Sequence, residues 1–235
     1  MAKTVKVSTP DGEMALYDAE PDGTARGAVV VIQEAFGVNE HIKDVTRRLA
    51  SAGFRAVAPH LFHRTGDPVL DYADIPNVLP HMQAITETGL ADDLESTLGY
   101  LGHAGFGLSR TCIVGFCMGG TVAFIAAVQF ELAASVTFYG GGVAEGRFGL
   151  PPLLEIAPEL KAPWLGLFGD LDQGIPVEQV EALRQAVGNA PIRAEIVRYA
   201  DAGHGFHCDM RDSYHEESAK DAWERTITWF ETHLP

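Results

Sequence analysis

The residues whose types and spacing could do chemistry are a cysteine between glycines, a histidine between glycines, and aspartates lying between the two in chain order. The first sits in Gly115-Phe116-Cys117-Met118-Gly119-Gly120, which follows an apolar run and opens a stretch of small residues at helical spacing. This is the strand–turn–helix layout of a nucleophile elbow, with cysteine in the serine position. Side chains at 115 and 119 would clash across so tight a turn, which accounts for the glycines. A helix N-terminus favours thiolate over thiol, and the Met118 N–H points to where a substrate oxyanion would form. The alternative is a buried structural thiol, a role that suits Cys112 inside the preceding strand.

A sulfur nucleophile needs a base, and the base needs a third group to fix its tautomer. Gly169-Asp170-Leu171-Asp172-Gln173-Gly174-Ile175-Pro176 and Asp201-Ala202-Gly203-His204-Gly205-Phe206 supply both, in the order nucleophile, acid, histidine. Asp172 is favoured as the acid because it lies later in its loop, just before the residues leading to Pro176. Asp170 is the competitor and is expected to cap the loop through backbone N–H groups. His204, between glycines, is favoured over His207.

Those loops require strands to carry them. Val5–Ser8 and Met14–Asp18 flank Thr9-Pro10-Asp11-Gly12 and read as a hairpin. Further strands are expected at Ala28–Ile32, Phe54–Ala58, Thr111–Phe116, Ala134–Tyr139, Trp164–Phe168 and Arg193–Tyr199. Helices are expected at Glu40–Ala52, Leu90–Leu101, Met118–Phe130, Val177–Val187 and Ala219–His233. His60 to Pro80, with Gly66, Pro68, Pro76 and Pro80, reads as one long loop. The order implies a single α/β domain over residues 1–235: a mostly parallel central sheet with an N-terminal antiparallel hairpin and helices on both faces.

The composition is that of a globular chain, 46% hydrophobic and 21% charged. A net charge of -15 repels phosphate backbones and anionic lipid, so neither nucleic acid nor a membrane is an expected partner. The start has no basic patch followed by an apolar stretch, and three cysteines do not make a disulfide framework. A cytoplasmic setting is expected, with no cofactor or metal, as a monomer or small homo-oligomer.

On Gln33-Glu34-Ala35-Phe36-Gly37-Val38-Asn39, Gly115 to Gly120, Phe138-Tyr139-Gly140, Asp172 to Pro176 and Gly203-His204, the chain resembles the dienelactone hydrolase family of the α/β-hydrolase superfamily. The resemblance implies the α/β-hydrolase fold and a triad of Cys117, His204 and Asp172. It implies that Glu34 bonds the resting cysteine and that the Ala35 N–H joins Met118 in the oxyanion hole. Read from the residues, Glu34 follows a buried strand and should point into the site, where it would oppose the resting thiolate. The alternative for Glu34 is a helix cap after Asn39. Phe36, Tyr139, Phe206 and Arg211 are candidate substrate contacts, together with the 60–80 segment.

The family also holds a substrate carboxylate with two arginines. No Lys or Arg occurs here between Arg64 and Arg110, while Asp67, Asp71, Asp74, Glu87, Asp92, Asp93 and Glu95 do; Cys208 stands at the second arginine position, with Arg211 nearby. An acidic pocket wall is therefore expected, with a small ester or lactone as substrate through a thioester intermediate. Two other classes remain open: redox sensing through Cys117 and Cys208, and a catalytically silent binding protein on the same fold.

Overall fold

The structure is a computed structural model that describes residues 1–147 and 149–235. Strands β1 (Ala2–Thr9) and β2 (Gly12–Ala19) form the N-terminal hairpin, turning at Thr9–Gly12. There follow β3 (Ala28–Ile32), α1 (Glu40–Ser51), β4 (Arg55–Pro59), α2 (Ile75–Gln83), α3 (Glu87–His103), β5 (Thr111–Phe116), α4 (Met118–Gln129) and β6 (Ala134–Phe138). The chain closes with the one-turn α5 (Leu153–Ile156), β7 (Trp164–Gly169), α6 (Val177–Val187), β8 (Ala194–Tyr199) and α7 (Glu216–His233).

The eight strands form one sheet in the order β1-β2-β4-β3-β5-β6-β7-β8. β1–β2 and β2–β4 pair antiparallel; every pairing from β4 to β8 is parallel. Every residue of β3, β5, β6 and β7 is buried. Successive side chains of a strand point to opposite faces, so full burial means that both faces are covered. This is why Ala28-Val-Val-Val-Ile32 is apolar throughout and does not alternate. Helix α4 is apolar on all sides and buried at every residue except Gln129, as befits a helix inside the protein. Helix α1 instead buries Ile42, Val45 and Leu49 on one side, and Asn39 caps it by accepting the Ile42 N–H at 3.2 Å. That cap role therefore belongs to Asn39 and not to Glu34.

The segment expected as one loop from His60 to Pro80 is different. It contains a 3-10 turn, His63–Thr65, and helix α2. Pro76 lies in the first turn, where a missing N–H has no intrahelical partner to lose. Pro80 falls in the second turn of a helix only nine residues long. Prolines that read as breakers are thus accommodated by a short helix. Helix α3 extends three residues further back than its apolar pattern, because Thr86 caps it through the Gly89 N–H at 3.1 Å. Helix α7 likewise starts at Glu216, behind a His215 side-chain cap. Tyr139, expected as the last residue of β6, has left the strand with φ +39. No helix is long and apolar enough to cross a membrane among the described residues.

Candidate active site

Parallel strands deliver their C-terminal ends to one edge of the sheet, and the candidate residues collect there. β5 ends at Phe116, and Cys117 turns the chain into α4 with φ +55 and ψ -117, a conformation rare for a residue with a side chain. The turn is closed by contacts only glycine permits. A Cβ on Gly115 would lie 1.8 Å from the Gly119 carbonyl oxygen; one on Gly119 would lie 2.4 Å from that of Gln33. One on Gly120 would meet the Phe138 oxygen at 2.6 Å. The Cys117 N–H is fixed to the Phe138 oxygen at 3.0 Å, so β6 holds the elbow from the other side.

The loop after β7 carries both aspartates, and their partners separate their roles. Asp172 is buried; its Oδ1 accepts the Gly174 N–H at 2.8 Å and its Oδ2 lies 2.6 Å from His204 Nδ1. Asp170 does not cap the loop. It takes two hydrogen bonds from the Arg198 guanidinium, at 2.7 and 2.8 Å, and Arg198 also reaches Glu181 at 2.8 Å. Asp170 therefore ties β8 to its neighbouring loop, and the carboxylate on His204 is that of Asp172.

His204 sits on the loop after β8. Gly205 follows it with φ +77, and a Cβ there would lie 2.7 Å from Arg211 Nη1. Burial alone would lower the His204 imidazole. The charge of the adjoining Cys117 sulfur, then the hydrogen bond to Asp172, overcome it and push His204 up to about 10. His207 has other company: it lies between the rings of Phe116, Phe138 and Trp223, at 5.3, 4.9 and 5.9 Å, and burial pushes it down to about 3. It is a core imidazole remote from Asp172.

Glu34 follows β3 and is fully buried. Its Oε1 lies 3.5 Å from Arg211 Nη1, and its Oε2 has no hydrogen-bond partner among the described residues. No hydrogen bond joins it to Cys117 among those residues, so the resting contact implied by the family resemblance is absent from this arrangement. The thiol faces His204 instead. Arg211 lies over the rings of Phe36 and Tyr72, at 5.7 and 5.1 Å. The Tyr72 hydroxyl accepts from Asn39 at 3.0 Å and meets Cys208 Sγ at 3.3 Å. The Cys208 thiol is thus engaged on the Glu34 side of the site, and burial pushes it up to about 11. The main chain beside Glu34 matters too: no acceptor takes the Ala35 N–H among the described residues, and Met118 opens α4, where an N–H has no intrahelical partner.

A pocket of about 70 Å³ opens beside Cys117 and His204, lined also by Met82, Met118, Thr121, Gly141, Arg147, Leu150, Gly174 and Ile175. The acidic wall expected from the sequence is not there: none of the carboxylates between Asp67 and Glu95 lines the pocket. Asp93 is taken up by Arg64, at 2.7 Å, and by His63, at 3.0 Å. Asp67 faces His60 at 2.7 Å. None of the four expected substrate contacts is among the described residues that line this pocket. Phe36, Tyr139 and Phe206 are buried, Tyr139 with its ring 5.1 Å from that of His204, and Arg211 is occupied with Glu34.

Arg147 carries no mark in the sequence that sets it beside the pocket. It lies on the glycine-rich stretch after β6, whose Gly141 carbonyl is held by the Thr121 hydroxyl at 2.9 Å. Its guanidinium stands 3.5 Å from where a Gly141 Cβ would be, and no ion pair engages it among the described residues. Arg147 lies nine residues past the end of β6, and no local motif marks which way that stretch folds.

Chemically, the arrangement offers a thiol on a strained turn, an imidazole fixed in one orientation by a buried carboxylate, two unpaired N–H groups, and a mainly apolar pocket with one added cation. Known proteins resemble this chain over nearly its whole length. The model of the "Dienelactone hydrolase family" matches residues 14–234. A Salmonella typhimurium protein named "Putative carboxymethylenebutenolidase" is 42% identical over 243 residues, covering 95% of this chain and 90% of that one. Its Escherichia coli O157:H7 namesake is 41% identical over 239 residues, covering 99% and 88%. The crystal structure of a "Putative Dienelactone Hydrolase" from Klebsiella pneumoniae superposes with a TM-score of 0.91 at 39% identity, covering 98% of both chains. With its fold and nearly its whole length matched, this chain belongs to the dienelactone hydrolase family.

Proposed function

We propose that the protein hydrolyses a small ester or lactone through Cys117, His204 and Asp172, by way of a thioester. The observation that carries this is the meeting of the elbow sulfur with an imidazole held by Asp172 at 2.6 Å. The sulfur attacks the carbonyl carbon while the N–H groups of Met118 and Ala35 take the developing oxyanion. The C–O bond breaks, and the leaving alkoxide takes the proton from the His204 imidazolium. Neutral His204 then draws a proton from water, the oxygen attacks the thioester, and the carboxylic acid departs as the sulfur regains its electron pair. Amides are poor substrates here, because thiolate leaves in preference to an amine anion. The test is acid quenching during turnover of an activated aryl acetate. The mass of one acetyl group should appear on the peptide containing Cys117; labelling confined to any other residue would refute the assignment.

The proton inventory makes a second expectation. The sulfur's charge is the leading influence that raises His204, and acylation removes it. The imidazole pKa should then fall below about 10, freeing a base for water near neutral pH. Single-turnover hydrolysis of the thioester should therefore rise with pH and level off well below 10. A thioester hydrolysis rate that keeps rising up to about 10 would contradict the lowering of the imidazole on acylation.

Arg147 is proposed as the selector of substrate charge. As the one Lys or Arg among the described residues lining the pocket, it favours an ester or lactone that carries a carboxylate. Arg147→Met should raise KM roughly tenfold for a carboxylated aryl ester, equivalent to about 1.4 kcal/mol, and leave a neutral aryl ester unchanged. Equal loss on both substrates would point to pocket collapse instead.

A further inference from the structure

We propose that Glu34, His41 and Cys208 form a binding site for a thiophilic divalent cation of the zinc class, set behind the catalytic pocket. Three different parts of the fold bring them together: the exit of β3, the first turn of α1 and the loop after β8. One ligand atom from each lies within 4.8 Å of the other two, and all three side chains are buried. A second observation points the same way. Glu34 Oε2 and both ring nitrogens of His41 are buried without a hydrogen-bond partner among the described residues. Buried polar atoms are ordinarily satisfied, and several left open around one point mark a place for a guest.

The donor set decides the class of guest. A carboxylate oxygen, an imidazole nitrogen and a thiolate sulfur suit zinc and its soft neighbours, whereas calcium and magnesium take oxygen donors. With metal–ligand bonds of about 2.0–2.3 Å, a tetrahedral site has ligand atoms roughly 3.3–3.8 Å apart, so side-chain shifts of about 1 Å close the cage. The Tyr72 hydroxyl stands 3.3 Å from Cys208 Sγ, beside the cluster. Asp209 lies 4.0 Å from His41 Nδ1 and adds negative charge behind that ring. Arg48, paired with Asp209 at 2.8 Å, and Arg211 are the opposing charges; Arg211 approaches Glu34 Oε1, at 3.5 Å, and leaves Oε2 open. On binding, the Cys208 S–H bond breaks, the proton leaves to solvent, and a sulfur–metal bond forms.

The test uses cobalt(II) as a spectroscopic stand-in and does not depend on turnover. Full-length protein, freed of metal by chelation, is titrated with cobalt while the sulfur-to-metal charge-transfer absorption is followed, and zinc is then added as competitor. One equivalent of cobalt should develop the band, and zinc should abolish it. The band should persist in Cys117→Ser and vanish in Cys208→Ser. His41→Gln should weaken cobalt binding by about 100-fold or more. Loss of the band in Cys117→Ser would place the metal on the nucleophile and overturn the proposal, as would no saturable binding by the folded wild type. The Cys117→Ser arm stands even if the Cys208 variant does not fold.

Discussion

Cys117→Ala is expected to lower ester hydrolysis by about 10⁴-fold or more while the protein still folds. The side chain is only partly buried at the pocket floor, and alanine keeps the Cβ that the strained turn already tolerates. The loss is chemical, because no other group at the elbow can carry the acyl group. His204→Ala should fall nearly as far, since without a proton carrier the alkoxide leaves poorly and water is not activated. The double variant should be little worse than either single one, because residues that act as one unit do not lose rate additively. Steady-state kinetics with an aryl ester would measure all three, and thermal unfolding would show that the fold survives. A Cys117→Ala protein retaining a tenth of wild-type turnover would place the chemistry elsewhere.

Gly115→Ala is expected to have the largest effect on stability. The added methyl carbon would sit 1.8 Å from the Gly119 carbonyl oxygen, with the Gly119 carbonyl carbon at 2.2 Å and the Gly120 nitrogen at 2.9 Å. All three are backbone atoms of the first turn of α4, so no rotamer change relieves the clash. Either the helix moves off β5 or the elbow opens. Overpacking in a well-packed interior usually costs about 1–3 kcal/mol, and a backbone collision this close belongs beyond that range. Denaturant unfolding should show a loss of more than about 3 kcal/mol, or the variant should fail to accumulate as soluble protein. Gly99→Ala in α3 is the control: nothing lies within 4 Å of the added carbon, and alanine is the better helix former.

What could be read from the chain and what could not divide along a physical line. The strands from β3 to β8 and the elbow were legible because their signals are local. A fully apolar run announces a strand covered on both faces, and glycines at 115 and 119 announce a turn that admits no side chain. Asp172 and His204 could be paired from chain order, although the 2.6 Å contact is a property of the folded loops. Most of the missed features are contacts through space. Asp170 was expected to cap its own loop, but its partner Arg198 lies 28 residues away. The acidic stretch suggested an acidic pocket, yet Asp93 had already been claimed by Arg64 and His63 from another element. Arg147 was overlooked for the converse reason, since nothing near it in sequence betrays which way its loop folds. Helix α2 was lost to its prolines, which are tolerated in so short a helix.

The 2.4 Å gap between the place of an absent Gly119 methyl and the Gln33 oxygen has a further implication. It welds the helix behind the sulfur to the strand leading to Ala35, so the Cys117 side chain and the Met118 and Ala35 N–H groups belong to a single block. Arg147, Leu150 and Met82 reach the same cleft from outside that block, on excursions between sheet elements. Substrate preference can therefore drift through changes in those excursions while the reaction centre keeps its dimensions. One scaffold can in this way serve many carboxylic esters over evolutionary time without rebuilding its engine.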